Sequence, residues 1–206
     1  MDSANCNLSA NDTRQRILDE ALALYSVYGH RKTTINDIAK ACGVSSALVH
    51  KHIGTKSELS DQVVDMIVSR RITELKSVIK AEHQPARKLA DWIDVLAKEQ
   101  VHSEQSGSRL GNTLQCAFEE DWDAANAARA AHRDVLMEIV SQGVEAGEFK
   151  VSTVDHAVDV LLVGLQQFIE PSSRNSRSVR IDADSLGGFV LRGLGCDRPG
   201  SRAATQ

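Results

Sequence analysis

Residues 29–57 contain Arg31, Lys32, Lys40, Lys51 and Lys56 against a single acid, Asp37. Hydroxyls at Thr34, Ser45 and Thr55 stand among them. Cationic side chains neutralise phosphates, and hydroxyls and free backbone amides bind phosphate oxygens. The pattern therefore suits contact with a polyanion. It stands out against the rest of the chain, whose net charge is −4. Residues 1–57 hold seven Lys/Arg and five Asp/Glu, whereas residues 58–170 hold eleven against twenty. A small basic patch at one end of an acidic body fits a protein that touches nucleic acid with that end alone.

Other chemistries find less support. His50 and His52 are two apart, which on a helix turns them to different sides. His102, His132 and His156 lack an acidic or cysteine partner at metal-ligand spacing, so no metal and no cofactor is expected. Cys6, Cys42, Cys116 and Cys196 are scattered, which argues against a disulfide framework. No Ser/His/Asp, paired-carboxylate or phosphate-loop pattern supports an enzyme. The longest apolar runs are shorter than the ~20 residues that span a bilayer. The N-terminus lacks the pattern of a secretion signal, so the cytoplasm is the expected location.

The elements that must position the basic patch are helices. The 206-residue chain has three prolines and no strand-like alternation, and an all-α fold of about nine helices is expected. A first helix begins at Asp12, with Gln15 returning the cap, and stops at Gly29. Thr34-x-x-Asp37 is a capping box for a second helix that Gly43 ends. Ser45 caps a third, and Thr55-x-x-Glu58 is a second box that opens a long helix to about residue 82. Pro85 suits the first turn of the fifth helix. A shorter helix carries Leu110, Leu114 and Phe118. Asp121 is expected to cap a seventh that ends near Gly147. Ser152-x-x-Asp155 is expected to cap an eighth, a polar loop follows Pro171, and a last helix covers about 183–195.

Two short helices joined by a glycine turn form a helix-turn-helix, whose second helix can enter a major groove. That explains the crowding of helix starts in "TTINDIAKACGVSSALVHKHIGTKSEL". Two serines and an alanine at the tip of the third helix permit close approach to base edges. The segment resembles the N-terminal domain of the TetR family of transcriptional regulators. The resemblance rests on Gly29, Thr33-Thr34, Ile38-Ala39, Cys42-Gly43-Val44-Ser45, Val49-His50, His52-Ile53, Thr55-Lys56 and Leu59, over about 50 residues. Beyond them only the layout matches. The resemblance implies that Thr34, His50 and Lys56 contact phosphates and that Ser46 and Lys51 read bases. With Asn36, Ser45 and Ala47 they make up the expected DNA-binding set. His50 stands where the family usually has tyrosine, and Ile53 where it has phenylalanine.

The resemblance further implies a C-terminal body that binds a small effector, and a homodimer formed by the last two helices, about 153–170 and 183–195. Met66, Trp92, Gln115, Phe118, Trp122, His132 and Gln166 are the candidate effector contacts. The polar ones among them interrupt otherwise apolar helices, as the polar lining of a cavity does. The expected organisation is a disordered 1–11, a DNA-binding domain at 12–57, a ligand and dimer domain at 58–196, and a disordered tail at 197–206. The expected function is a homodimeric repressor released from a palindromic operator by its ligand. A helical small-molecule enzyme and a DNA-binding activator without ligand control are the alternatives.

Overall fold

The structure is a computed structural model that describes residues 10–79, 83–105, 109–170 and 183–196. Among these residues there are nine helices and no strand: α1 Ala10–Tyr28, α2 Ile35–Cys42, α3 Ser46–Ile53, α4 Lys56–Val78, α5 Pro85–Gln105, α6 Leu110–Glu119, α7 Asp123–Glu145, α8 Val154–Ile169 and α9 Ala183–Gly193. Of the stretch 1–11 expected to be disordered, Ala10 and Asn11 open α1 instead; its residues 1–9, the loop after Pro171 and the tail from 197 lie outside the described residues. No helix of the described residues is long and apolar enough to cross a membrane.

The chain divides into two compact units. The first comprises residues 1–67 and 108–125. Its core draws Ile17, Leu18, Ala21 and Tyr25 from α1, Ile38, Ala39 and Cys42 from α2, Val49 and Ile53 from α3, and Leu59 and Val63 from α4. These positions recur at three- and four-residue spacing, so each short helix buries one stripe and leaves the other faces to water. Tyr25, fully buried, satisfies its hydroxyl on Ser60 Oγ at 2.9 Å. Burial raises the phenol pKa, opposed by that hydrogen bond.

The second unit comprises residues 68–107 and 126–206. Here α5 packs against α8 and α9, burying Leu89, Trp92 and Ile93 together with Leu136 and Val140 of α7 and Val158 and Leu165 of α8. The start of α5 is held from outside: Glu148 Oε2 accepts from the Ala86 N–H at 3.0 Å. Asp91, buried, accepts from His83 and Arg87.

Three expected helix starts differ. Helix α1 is already helical at Ala10, so Asp12 lies in its first turn rather than at its cap. The Gln15 amide goes instead to Asp19 Oδ1 and Met66 Sδ. Asp121 sits in the turn after α6 with φ of 52°. Helix α7 starts two residues later, and its Ala124 N–H is accepted by Asp61 of α4 at 3.0 Å. At α8 the N-cap position belongs to Thr153, without a side-chain cap bond, and Asp155 pairs with Arg133 at 3.1 Å. At α7 and α8 a partner distant in the chain takes a group that the local cap would have used.

The boxes at Thr34 and Thr55 yield a stability prediction. Thr34→Ala and Thr55→Ala should each cost about 1 kcal/mol, the usual worth of such a cap, read from urea midpoints at unchanged m-value. The carboxylates of both boxes have lowered pKa values: Asp37 through hydrogen bonds from the Thr34 side chain and backbone, and Glu58 through those from the Thr55 backbone and side chain. Their contribution is therefore complete above the unfolded values, 3.8 and 4.5, and disappears as pH falls below them. Asp37→Asn and Glu58→Gln should flatten this acid limb.

Candidate nucleic-acid interface

The site grows from the disposal of backbone N–H groups at three helix starts. At α2, Thr34 Oγ1 accepts from the Asp37 N–H at 3.2 Å, and the Asp37 carboxylate accepts from the Thr34 N–H at 2.9 Å and from its hydroxyl at 2.7 Å. At α3, Ser45 Oγ accepts from the Leu48 N–H at 3.2 Å. At α4, Thr55 Oγ1 accepts from the Glu58 N–H, and Glu58 Oε2 accepts from the Thr55 N–H at 2.6 Å.

Between α2 and α3 the chain reverses at Gly43, whose φ of 65° is left-handed. Its N–H donates to the Lys40 carbonyl at 3.1 Å and the Val44 N–H to Ala39 at 2.9 Å, closing α2 in two bonds. Gly54 follows α3 with φ of 101°, and a Cβ there would lie 2.2 Å from Glu58 Oε2. Any side chain at 54 would displace the second capping box.

Helix α3 buries Val49 and Ile53 completely or nearly so. At ~100° per residue, Ala47 and Lys51 lie opposite that stripe, His50 lies to its side, and Ser46 stands next to it at the helix tip. Ala47, His50 and Lys51 are exposed and Ser46 is half-buried. The Ser46 hydroxyl donates to Asn36 Oδ1, which ties the tip of α3 to α2. His50 Nδ1 donates to the Gly54 carbonyl at 2.7 Å, so in the neutral ring the proton sits on Nδ1 and Nε2 carries a lone pair. Thr34, Asn36 and Ser45 are exposed at the two helix starts. Lys56, half-buried, donates from Nζ to the Arg31 carbonyl at 3.3 Å. All eight expected positions thus lie on α2, α3, the first turn of α4, or their caps.

A cluster of residues distant in the chain, which no local motif announces, belongs to the same unit. The Arg31 guanidinium donates to Cys116 Sγ and to Glu120 Oε1, each at 3.3 Å. The Cys116 thiol donates to Glu120 Oε1 and Trp122 Nε1 to Glu120 Oε2, both at 3.0 Å. His30 stacks edge-on with Trp122. Burial, followed by the hydrogen bond to Glu120, raises the Cys116 pKa, which keeps the thiol protonated and poorly nucleophilic. The hydrogen bond from Cys116 is the main cause that lowers the Glu120 pKa. Burial, then Arg31 and Lys56, lower the His30 pKa. The partners of Arg31 are 85 and 89 positions away, beyond any local motif.

The candidate effector residues separate. Met66, Gln115, Phe118 and Trp122 belong to the first unit, and Trp92, His132 and Gln166 to the second. The Gln115 amide donates to Glu119 on the same helix at 2.7 Å. Gln166 is exposed and donates to Glu170 at 3.0 Å. Trp92 and His132 come together edge-on, ring centroids 5.8 Å apart. Among the described residues no group of three or more His, Cys, Asp or Glu could hold a metal ion.

A glycine turn between two short helices, a solvent-facing second helix and basic flanks define a helix-turn-helix regulator that binds DNA. Comparison with known proteins places it more narrowly. The family model described as bacterial regulatory proteins, tetR family, matches residues 17–63. That of the tetracyclin repressor-like C-terminal domain matches residues 85–180. The chain belongs to the TetR family of transcriptional regulators. It is 22% identical over 147 residues to the HTH-type transcriptional repressor KstR2 of Mycobacterium tuberculosis, covering 68% of this chain and 70% of that one. The fold is shared with RolR in complex with resorcinol, at TM-score 0.65 and 18% identity over 91% of this chain and 90% of that one. It is shared too with FadR of Bacillus subtilis in complex with stearoyl-CoA, at TM-score 0.63 and 19% identity over 87% and 96%.

Of the residues considered, His132 gives the clearest pH prediction. Burial lowers its pKa from 6.5 to about 4. The folded state holds it neutral, so its contribution is complete above pH 6.5 and is lost as pH falls toward 4. The loss should reach roughly 3 kcal/mol. Denaturation midpoints should fall through this window in the unaltered protein and hold nearly level in His132→Phe.

Proposed function

We propose that the protein is a homodimeric repressor that binds a palindromic operator through α3 and is released by a small effector held in its C-terminal body. The observation that carries the reading is the division of α3 into a buried Val49–Ile53 stripe and a solvent face of Ala47, His50 and Lys51, with half-buried Ser46 at its tip. A helix so divided can lie in a major groove without disturbing its own core. Thr34 and Lys56 stand at flanking helix starts, where hydroxyls, amides and an ammonium suit phosphates. Ser46 and Lys51 are then readers, and Asn36, Ser45, Ala47 and His50 complete the contact surface.

A single short helix reads too few base pairs for useful selectivity, so two copies are needed, about 34–36 Å apart on the duplex. Helices α8 and α9 suit the pairing. They leave Val160, Val163 and Phe189 exposed, at 58%, 75% and 70%, beside a groove of about 400 Å³ lined also by Leu161, Leu186 and Val190. Apolar side chains uncovered in this number on adjacent helices mark an association surface. Effector control is supported by family membership and by RolR and FadR, whose structures hold resorcinol and stearoyl-CoA. An effector acts only by its difference in affinity for the operator-competent and released states. The cytoplasm is the setting such a role requires.

Selection of bound fragments from genomic DNA tests the reading. It should return an inverted repeat. Lys56→Ala should weaken binding to every sequence and lower the salt slope by about one unit. Ser46→Ala or Lys51→Ala should alter the recovered sequence instead. Phe189→Asp with Val163→Asp should yield a monomer by light scattering. Recovery of unrelated sequences, or an unchanged salt slope for Lys56→Ala, would count against these assignments.

A further inference from the structure

Two polar side chains in the interior of the second unit have no visible task. Trp92 on α5 is fully buried and His132 on α7 is 8% exposed. Neither the indole Nε1 nor the imidazole Nδ1 has a hydrogen-bond partner. Their rings meet edge-on at 5.8 Å, so the two orphaned nitrogens belong to one locality. The buried residues that flank them are mostly apolar, among them Leu89, Ile93 and Leu96 on α5 and Val135 and Leu136 on α7, with Lys88 and Asp91 the buried charges of α5.

A buried polar atom without a partner is costly, and native interiors rarely hold one without a reason. Two in contact, on different helices, are better explained by a shared partner than by two separate defects. The buried charges of α5 are already hydrogen-bonded: Lys88 donates to the neutral Gln142 amide oxygen at 2.7 Å, and Asp91 accepts from His83 and Arg87. Burial alone accounts for the lowered pKa of His132. At the imidazole itself, neither a cation for an anionic ligand nor a carboxylate for a cationic one stands ready. The locality offers an indole N–H and a neutral imidazole in an apolar setting.

We infer that Trp92 and His132 form the polar end of an internal binding site for an uncharged, mainly apolar molecule bearing a hydroxyl or carbonyl oxygen. The oxygen accepts from the indole N–H, and the imidazole Nδ1 completes its hydrogen bonding according to tautomer. The inference deepens the effector reading above and rests on it for its regulatory meaning.

The chain has two tryptophans, so in a Trp122→Phe background all indole emission comes from Trp92. The probes are two apolar scaffolds, each with three head groups: 1-decanol, decanoate and decylamine, and 4-ethylphenol, 4-ethylbenzoate and 4-ethylbenzylamine. At pH 7.5 the neutral member of at least one set should change Trp92 emission saturably and bind at least about tenfold more tightly than its charged counterparts, since neither charge finds a buried partner. Thermal stabilisation of the unaltered protein by the same six compounds is the parallel measurement. His132→Phe should weaken the neutral probe about tenfold while leaving the melting temperature equal or higher, because an orphaned polar atom has been removed. His132→Gln should retain most of the affinity.

Tighter binding of a charged member, or no response to any of the six, would overturn the inference. So would His132→Phe binding the neutral probe as before. Operator binding is followed separately by fluorescence anisotropy. A neutral probe that releases DNA without touching Trp92 emission leaves the repressor reading intact and overturns this one. A Trp92 response with DNA retained supports the site and removes the release step.

Discussion

Backbone amides that open helices cannot bond within them, and this structure crowds three such openings between Thr34 and Thr55. Roughly a dozen N–H groups thereby lack a partner in their own helix. The side chains of Thr34, Ser45 and Thr55 each take one, and the carboxylates of Asp37 and Glu58 return to the amides of the capping threonines. Everything else at the DNA-facing end depends on this arrangement. It fixes where α3 begins, and so which of its residues are buried. It also leaves the remaining first-turn amides, at the positive ends of helix dipoles, without a partner in their own helix.

The same economy explains why the core of the first unit can be small. Helices of eight residues are marginal by themselves. Here α2 and α3 are each fixed at their start by a cap, at their end by glycine, and along one face by Ile38, Val49 and Ile53. The Arg31, Cys116 and Glu120 group supports the loop that leads into them from α6. Lys56 supports the same loop from the first turn of α4 by donating to the Arg31 carbonyl. The ammonium that suits a phosphate therefore already has an internal acceptor.

What could be read from the residues alone was what depends on near neighbours in the chain. The boxes at Thr34 and Thr55, the Ser45 cap and the Gly43 stop all depend on partners within four or five positions, and all are present. The starts of α7 and α8 were misjudged for the complementary reason. Asp61 lies 63 positions from the amide it accepts, and Arg133 drew Asp155 out of its expected box. Polarity on an apolar helix was an ambiguous guide to the interior. Gln115 and Gln166 proved to be partnered within their own helices, or one residue beyond. Of these three, His132 is the one buried with a nitrogen unmatched, and periodicity does not distinguish such cases.

The bond from His50 to the Gly54 carbonyl has a mechanical consequence. With Nδ1 committed to the turn, the imidazole acts as a brace between the last turn of α3 and the glycine that ends it, and Nε2 is the ring nitrogen left for a partner outside the protein. The same glycine lies against Glu58, which closes the cap of α4. The exit of one helix and the entry of the next are therefore one mechanical joint, and a side chain added at 54 would loosen both together.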